Sequence, residues 1–340
     1  MSSMPAGGVT AAPSPGGSSS RLRSVLFPAL PPARVRVLRV IVHAFVVLDV
    51  LTFSRDVLAH AGNAGFYTPV ALARLLHLPP VTAPLAWTLL VVILAGCAAG
   101  IVGWRPRLSG AVVAIAFWLW MLYSNSYGYV AHDHLALMVA VAVLPTVAGV
   151  PTSRADGDRP GAAGAGSFGA AGAGSTTAAD GAVRSEAAGW ALRAIQIAVV
   201  ATYFFSIIPK ILYSGSLANW GSSAILTWAS IRRGTGLAHW LVAHMPWVFV
   251  PAQWAGLALE LLSPVVLFLR GRALMLAVIA YLGFHLATLA LLGIHFLPTA
   301  ICWAAFLPLE RLRRPGLLAP VLSRTAPCSP GSRRGGGRLR

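Results

Sequence analysis

The chain is organised as a series of apolar runs, most of them long enough to cross a bilayer, with its arginines gathered between them and in the two tails. A membrane-spanning helix needs about 20 predominantly apolar residues, because no water is present in the hydrocarbon to satisfy an exposed backbone. Composition agrees: 57% of the 340 residues are hydrophobic, only 10% are charged, and the mean hydropathy is +0.73. A soluble domain carries about 25% charged residues, so this chain lacks the polar surface to face water on every side. The expected fold class is all-α, a polytopic integral membrane protein of the cell membrane.

The runs predict eight transmembrane helices, at about 35–53, 84–103, 108–124, 134–150, 189–211, 247–269, 273–292 and 296–309, the last being short. Residues 1–33 are rich in Gly, Ser, Pro and Ala and read as a disordered tail without a cleaved signal peptide. Residues 34–312 form the membrane domain. Within it, the Gly/Ala-rich stretch 151–187 reads as a flexible linker dividing the helices four and four. The Arg/Pro/Gly-rich segment 313–340 reads as a disordered basic tail.

Arginine placement orients the map. With the N-terminus in the cytoplasm, the inner segments hold 21 arginines, whereas the outer loops hold four: Arg55, Arg74, Arg232 and Arg233. Even the short loops containing Arg105 and Arg107, or Arg270 and Arg272, obey the positive-inside rule, so both ends are expected inside. The net charge of +17 therefore reads as a topology signal, and no nucleic-acid partner is expected. Cys97 and Cys302 lie in apolar runs and Cys328 in the tail, with no metal-ligand or disulfide spacing. No metal is expected.

Ionisable groups within hydrocarbon are expensive and need a reason. Asp49 and His43 fall in the first run, His132, Asp133 and His134 at the start of the fourth, Glu260 in the sixth and His285 in the seventh. Lys210 closes the fifth, in ATYFFSIIPKIL, and is the only lysine among 26 basic residues. Arginine keeps its proton in a protein, whereas a lysine stripped of water releases one more readily, so a site that needs a base selects lysine. The same lysine also suits snorkelling to the headgroups. Asp49, Arg36, Arg39 and Glu260 suit interhelical ion pairs equally well. The topology nevertheless sets His134, Lys210 and His285 in the outer half of the bilayer and Glu260 near its middle, at depths compatible with one cavity.

At these residues the sequence resembles the horizontally transferred transmembrane (HTTM) family, which includes the membrane domain of vitamin K-dependent γ-glutamyl carboxylase. YFFSIIPKIL followed by NWGSS resembles its aromatic helix ending in lysine and then a Trp-Gly turn. QWAGLALELLSPVVLFLR resembles its helix with a central acid, YLGFHLATLALLGIHF its Tyr-x-x-Phe-His helix, and SYGYVAHDHLALMVA, more weakly, its segment opening on an Asn/His pair before an apolar helix. Together these cover about 34–312. The resemblance implies Lys210 as the base toward a reduced quinone of the vitamin K or menaquinol type. It implies His134 as stabiliser of the quinol oxyanion, with His285, Glu260, Tyr203 and Trp220 lining the quinol pocket.

The chain departs from the family at Ser206-Ile207, where a small Ala-Gly pair is usual, and at Pro209, directly before the lysine. The carboxylase's large extracytoplasmic portion, which holds its protein substrate, has no counterpart among these residues. A second family branch, similar to sporulation-delaying protein B, assists maturation of secreted peptides. Two readings follow: a quinol-coupled enzyme acting on a small molecule or exported peptide, and a non-catalytic maturation partner of a secreted peptide.

Overall fold

A computed structural model describes residues 23–148, 175–177 and 183–313. The expectations for residues 1–22, for 314–340 and for most of the 151–187 stretch fall outside the described residues. The described chain is helical apart from one antiparallel ribbon, Ser175–Thr177 with Val183–Ser185, to which Leu30 adds a bridge at Ser185.

The helices used below are α1 (Pro32–Thr52), α2 (Ala83–Val102), α3 (Pro106–Ser124), α4 (Leu135–Val143), α5 (Glu186–Phe204), α6 (Ile207–Ser214), α7 (Ala224–Arg233), α8 (Gly236–His244), α9 (Phe249–Leu262), α10 (Gly271–Leu292) and α11 (Leu297–Cys302). Five helical stretches are long and apolar enough to cross a membrane: α2, α3, α5 with α6, Pro246–Phe268 around α9, and α10. The other three expected spans are helical but fall short of that description. At 21 residues α1 is long enough, yet it carries Arg34, Arg36, Arg39 and Asp49. The stretches His132–Val147 and Leu297–Phe306 are apolar but shorter. Proline shapes the helix ends. Pro145 and Pro264 each fall where an α-helix tightens into a 3₁₀ turn, because a ring without N–H breaks the i→i−4 ladder.

The surface is inverted relative to a soluble protein. Ile115, Leu276 and Leu286 are each about two-thirds exposed, and Trp87, Val91 and Ile279 more than half. Apolar surface on that scale is stable only against lipid. Beneath it lies a core centred on α3, α4 and α5, with Phe117, Trp120, Leu137, Leu192 and Ile195 fully buried. Helix association within lipid depends on van der Waals contact and small residues. Gly96 on α2 shows the consequence: a Cβ there would lie 2.7 Å from Val113 Cγ2 on α3. Gly96→Val is therefore expected to lower stability by about 1–3 kcal/mol through overpacking. Thermal denaturation of the detergent-purified protein would read this, and an unchanged midpoint would show that the α2–α3 seam can relax.

The first and last described segments are clasped by Arg34, whose Nε and Nη2 each reach the Glu310 carboxylate at 2.7 Å. One region departs from the sequence reading. The stretch between the fifth and sixth runs, taken as an outer loop, folds into α7 and α8. Both are too short to span, so a search for long apolar runs passes over them. They expose Trp228, Ile231, Leu237 and Trp240, and Thr235 fastens the pair to the end of α10 through Leu291 O at 2.9 Å and Ala290 O at 2.6 Å.

Candidate functional site

The site is assembled where α5 ends. Pro209 cannot donate to the carbonyl of residue 205, and the helix breaks at Phe205–Ser206 before resuming as α6. Ser206 Oγ caps the break on Tyr203 O at 2.6 Å. Lys210 therefore sits on a separate short helix rather than closing the fifth, and the break lets it turn toward α9. Its ammonium forms a salt bridge with the Glu260 carboxylate, with side chains 18% and 11% exposed respectively. The Lys210 Nζ also lies 5.6 Å from the centre of the Trp220 ring, a cation–π contact. Gly221, the next residue, lets the backbone pack on Trp254, since a Cβ there would lie 2.5 Å from Trp254 Cε2.

Next to this pair runs a second chain of polar groups. Trp303 Nε1 donates to Tyr203 Oη at 2.9 Å, and Tyr203 Oη is in turn hydrogen-bonded to His285 Nε2. An indole N–H only donates, so the tyrosine oxygen accepts from it and its own proton is available to His285 Nε2. Where the tyrosine proton goes to Nε2, the N–H of a neutral imidazole lies on Nδ1, an atom buried without a hydrogen-bond partner. It is one of seven such buried side-chain atoms among the described residues. Tyr281, one helical turn before His285, stacks on Trp303 with ring centres 4.5 Å apart and donates to Leu259 O at 2.5 Å, joining α10 to α9.

Tyr203, Glu260, His285, His132, Ser206 and Thr299 border a cavity of about 70 Å³. At about 30 Å³ per water, it holds roughly two water molecules. Small-molecule pockets occupy about 300–1,000 Å³, so the cavity does not fit a quinol ring, and no chemical step through a quinol is derived from it.

Glu260, His285 and Tyr203 line one cavity, and Lys210 and Trp220 adjoin it through Glu260. His134 is elsewhere. Its Nε2 lies 2.9 Å from Asp49 Oδ1 and its Nδ1 3.2 Å from Asp133 Oδ1, both in the interior. Asp49, completely buried, also accepts from Ser54 Oγ at 2.8 Å, and Ser54 Oγ accepts from Trp120 Nε1 at 2.9 Å. The two clusters meet at Thr299, which borders the cavity and donates to Asp133 O at 2.7 Å. The neighbouring His132 is the histidine of that pair that reaches the cavity. Thr299 and Trp303, both necessary to the arrangement, lie in the shortest apolar run and carry no sequence signal beyond being polar atoms in hydrocarbon. Among the described residues, no three His, Cys, Asp or Glu side chains are grouped to hold a metal ion.

Compared with known proteins, the chain matches no family model, no curated protein and no solved structure.

Proposed function

We infer that this chain is an HTTM-type protein of the cell membrane that crosses the bilayer eight times with both ends in the cytoplasm, and that its function resides in proton exchange at the Lys210–Glu260 pair. The 21-to-4 arginine asymmetry supports the topology, under which Lys210 lies in the outer half of the membrane and Glu260 near its middle. The reading rests chiefly on the largely buried Lys210–Glu260 salt bridge beside a polar cavity that Glu260, Tyr203 and His285 border. A small molecule or exported peptide would meet that cavity with a hydroxyl or carbonyl oxygen. Proton transfer from Lys210 to Glu260 leaves a neutral amine and a neutral acid, and the amine can then take a proton from an acidic hydroxyl. A reduced quinone of the vitamin K or menaquinol type remains the occupant that the family resemblance implies, and it requires the cavity to open.

The small cavity favours a second reading, in which the polar groups fix helix packing and the protein is a non-catalytic maturation or export partner for a secreted peptide. Mass spectrometry of small molecules co-purifying with wild-type protein and with Lys210→Arg separates the two. Lys210→Arg keeps the charge and removes a usable base. The acid–base reading expects a lipid-soluble hydroxyl compound with the wild type and at least a tenfold loss in the variant at equal membrane yield. Equal content in both, or none in either, would leave the maturation reading standing.

A further inference from the structure

The tryptophans are unevenly placed: five of the eleven fall within residues 220–254, between α6 and the first turns of α9. Three of them, Trp228 on α7, Trp240 on α8 and Trp247 just before α9, are half to two-thirds exposed. Ile231 and Leu237, on either side of the turn that joins α7 to α8, are also more than half exposed. Arg232 and Arg233 close α7, and no acidic residue occurs between Glu186 and Glu260 to offset them. The Arg232 guanidinium lies 5.0 Å from the centre of the Trp228 ring.

The level of this surface is fixed by α10. At 22 residues, α10 is about 33 Å long at the helical rise, against about 30 Å of hydrocarbon. Its two ends therefore stand at the two hydrocarbon boundaries. Thr235, in the turn between α7 and α8, bonds to the carbonyls of Ala290 and Leu291 in the last turn of α10. After α8 the chain passes directly into Pro246–Phe268, a second stretch long and apolar enough to span. The pair is thus tied, at its turn and at its exit, to the level where spans meet the headgroups. The lipid-facing surface is continuous up to that level. Ile279, Leu282, Leu286 and Leu289 are exposed at helical spacing along one face of α10, leading to the carbonyls that Thr235 holds.

We propose that the α7–α8 pair is seated in the interfacial layer of the bilayer. Trp228, Ile231, Leu237 and Trp240 would rest against phospholipid acyl chains just below the headgroups, with Arg232 and Arg233 at the phosphates. Tryptophan collects at this level because its ring is apolar and its N–H is polar. Arginine can lay its stem along the apolar layer while its guanidinium reaches a phosphate. Phospholipid is the occupant because the exposed surface prolongs that of α10 and because the charges closing α7 match the phosphate layer. Under the proposed topology this is the outer leaflet. The depth depends neither on that choice nor on the chemistry at Lys210.

The test is a depth measurement. Single nitroxide labels are attached at Ile231→Cys and, separately, at Leu237→Cys, which leaves the tryptophans in place. The full chain also carries Cys328→Ser, and Cys97 and Cys302 are buried. The protein is reconstituted in dioleoyl phosphatidylcholine vesicles, and collisions with oxygen and with a water-soluble nickel chelate are calibrated on spin-labelled phospholipids. Both labels are expected about 5–10 Å below the phosphates, the depth of an interfacial helix. A label at Ile279→Cys, near the middle of α10, should lie deeper. Water-like access of the nickel chelate at either position would make the pair an aqueous loop. Exclusion of both probes would mean that protein covers it, and a depth equal to that at Ile279 would place it within the hydrocarbon. Each of these three results overturns the assignment.

Discussion

Glu260→Ala is expected to destabilise the protein by about 3–5 kcal/mol, because it leaves the Lys210 ammonium half enclosed and without a counter-charge. The loss should exceed that of an ordinary lipid-facing substitution and should appear as a lower denaturation midpoint in detergent. A double substitution distinguishes structure from function. Lys210→Met with Glu260→Leu removes both charges and keeps the volume, and replacing a buried ion pair with well-packed apolar groups is often neutral or stabilising. Stability should therefore return to within about 1 kcal/mol of wild type. Under the acid–base reading, the bound small molecule should still be absent from this restored protein. Full binding in the double variant would mean that the pair only holds α6 to α9. A Glu260→Ala variant as stable as wild type would mean that Lys210 finds water or Trp220 sufficient.

The membrane character was legible in the sequence because lipid demands one thing, an unbroken apolar run, and α2, α3, α5, α9 and α10 each supply it. The short stretches were read as spans on apolar content alone, and the helices there are shorter, because hydropathy does not register the backbone geometry that Pro145 and Pro298 impose. α7 and α8 were passed over because, at ten and nine residues, neither makes a long apolar run. At the site, the sequence identified polar residues that hydrocarbon disfavours and could set their depth, which is how Lys210, Glu260, His285 and His134 were selected together, while Tyr203 came from the family resemblance. Lateral position was beyond it. Depth alone gave His134 the same standing as His285, yet α4 directs His134 toward Asp49 on α1 while α10 directs His285 toward Tyr203 on α5. Thr299 and Trp303 were invisible because their roles exist only once α11 has packed against α5.

These two polar clusters divide the labour differently from the resemblance-based assignment. That assignment set His134 beside Lys210 as an oxyanion stabiliser, a role that needs a donor directed at the cavity. Both ring nitrogens of His134 instead face carboxylate oxygens, and a ring that donates on both sides carries two N–H groups and no remaining donor. The Asp49–His134–Asp133 group has the form of an internal charge clamp. It joins α1 to the start of α4, and Thr299 extends the connection to α11.

Asp49→Ala should accordingly be among the most damaging single changes in the protein, at about 3–5 kcal/mol. It strands His134 Nε2 and Ser54 Oγ together at a position with no solvent access. Asp49→Asn keeps the shape and one acceptor but not the charge, and should cost about 1–3 kcal/mol, the penalty of a partly satisfied buried group. The useful measurement is made on the milder variant. If His134 serves only the clamp, Asp49→Asn lowers the denaturation midpoint while the wild-type complement of small molecule, normalised to folded protein, is unchanged. If His134 takes part in the chemistry, removing the negative charge from its side alters that complement at temperatures where the variant is fully folded. The second result would return His134 to the reactive group and require α4 to turn toward the Lys210 cavity during function.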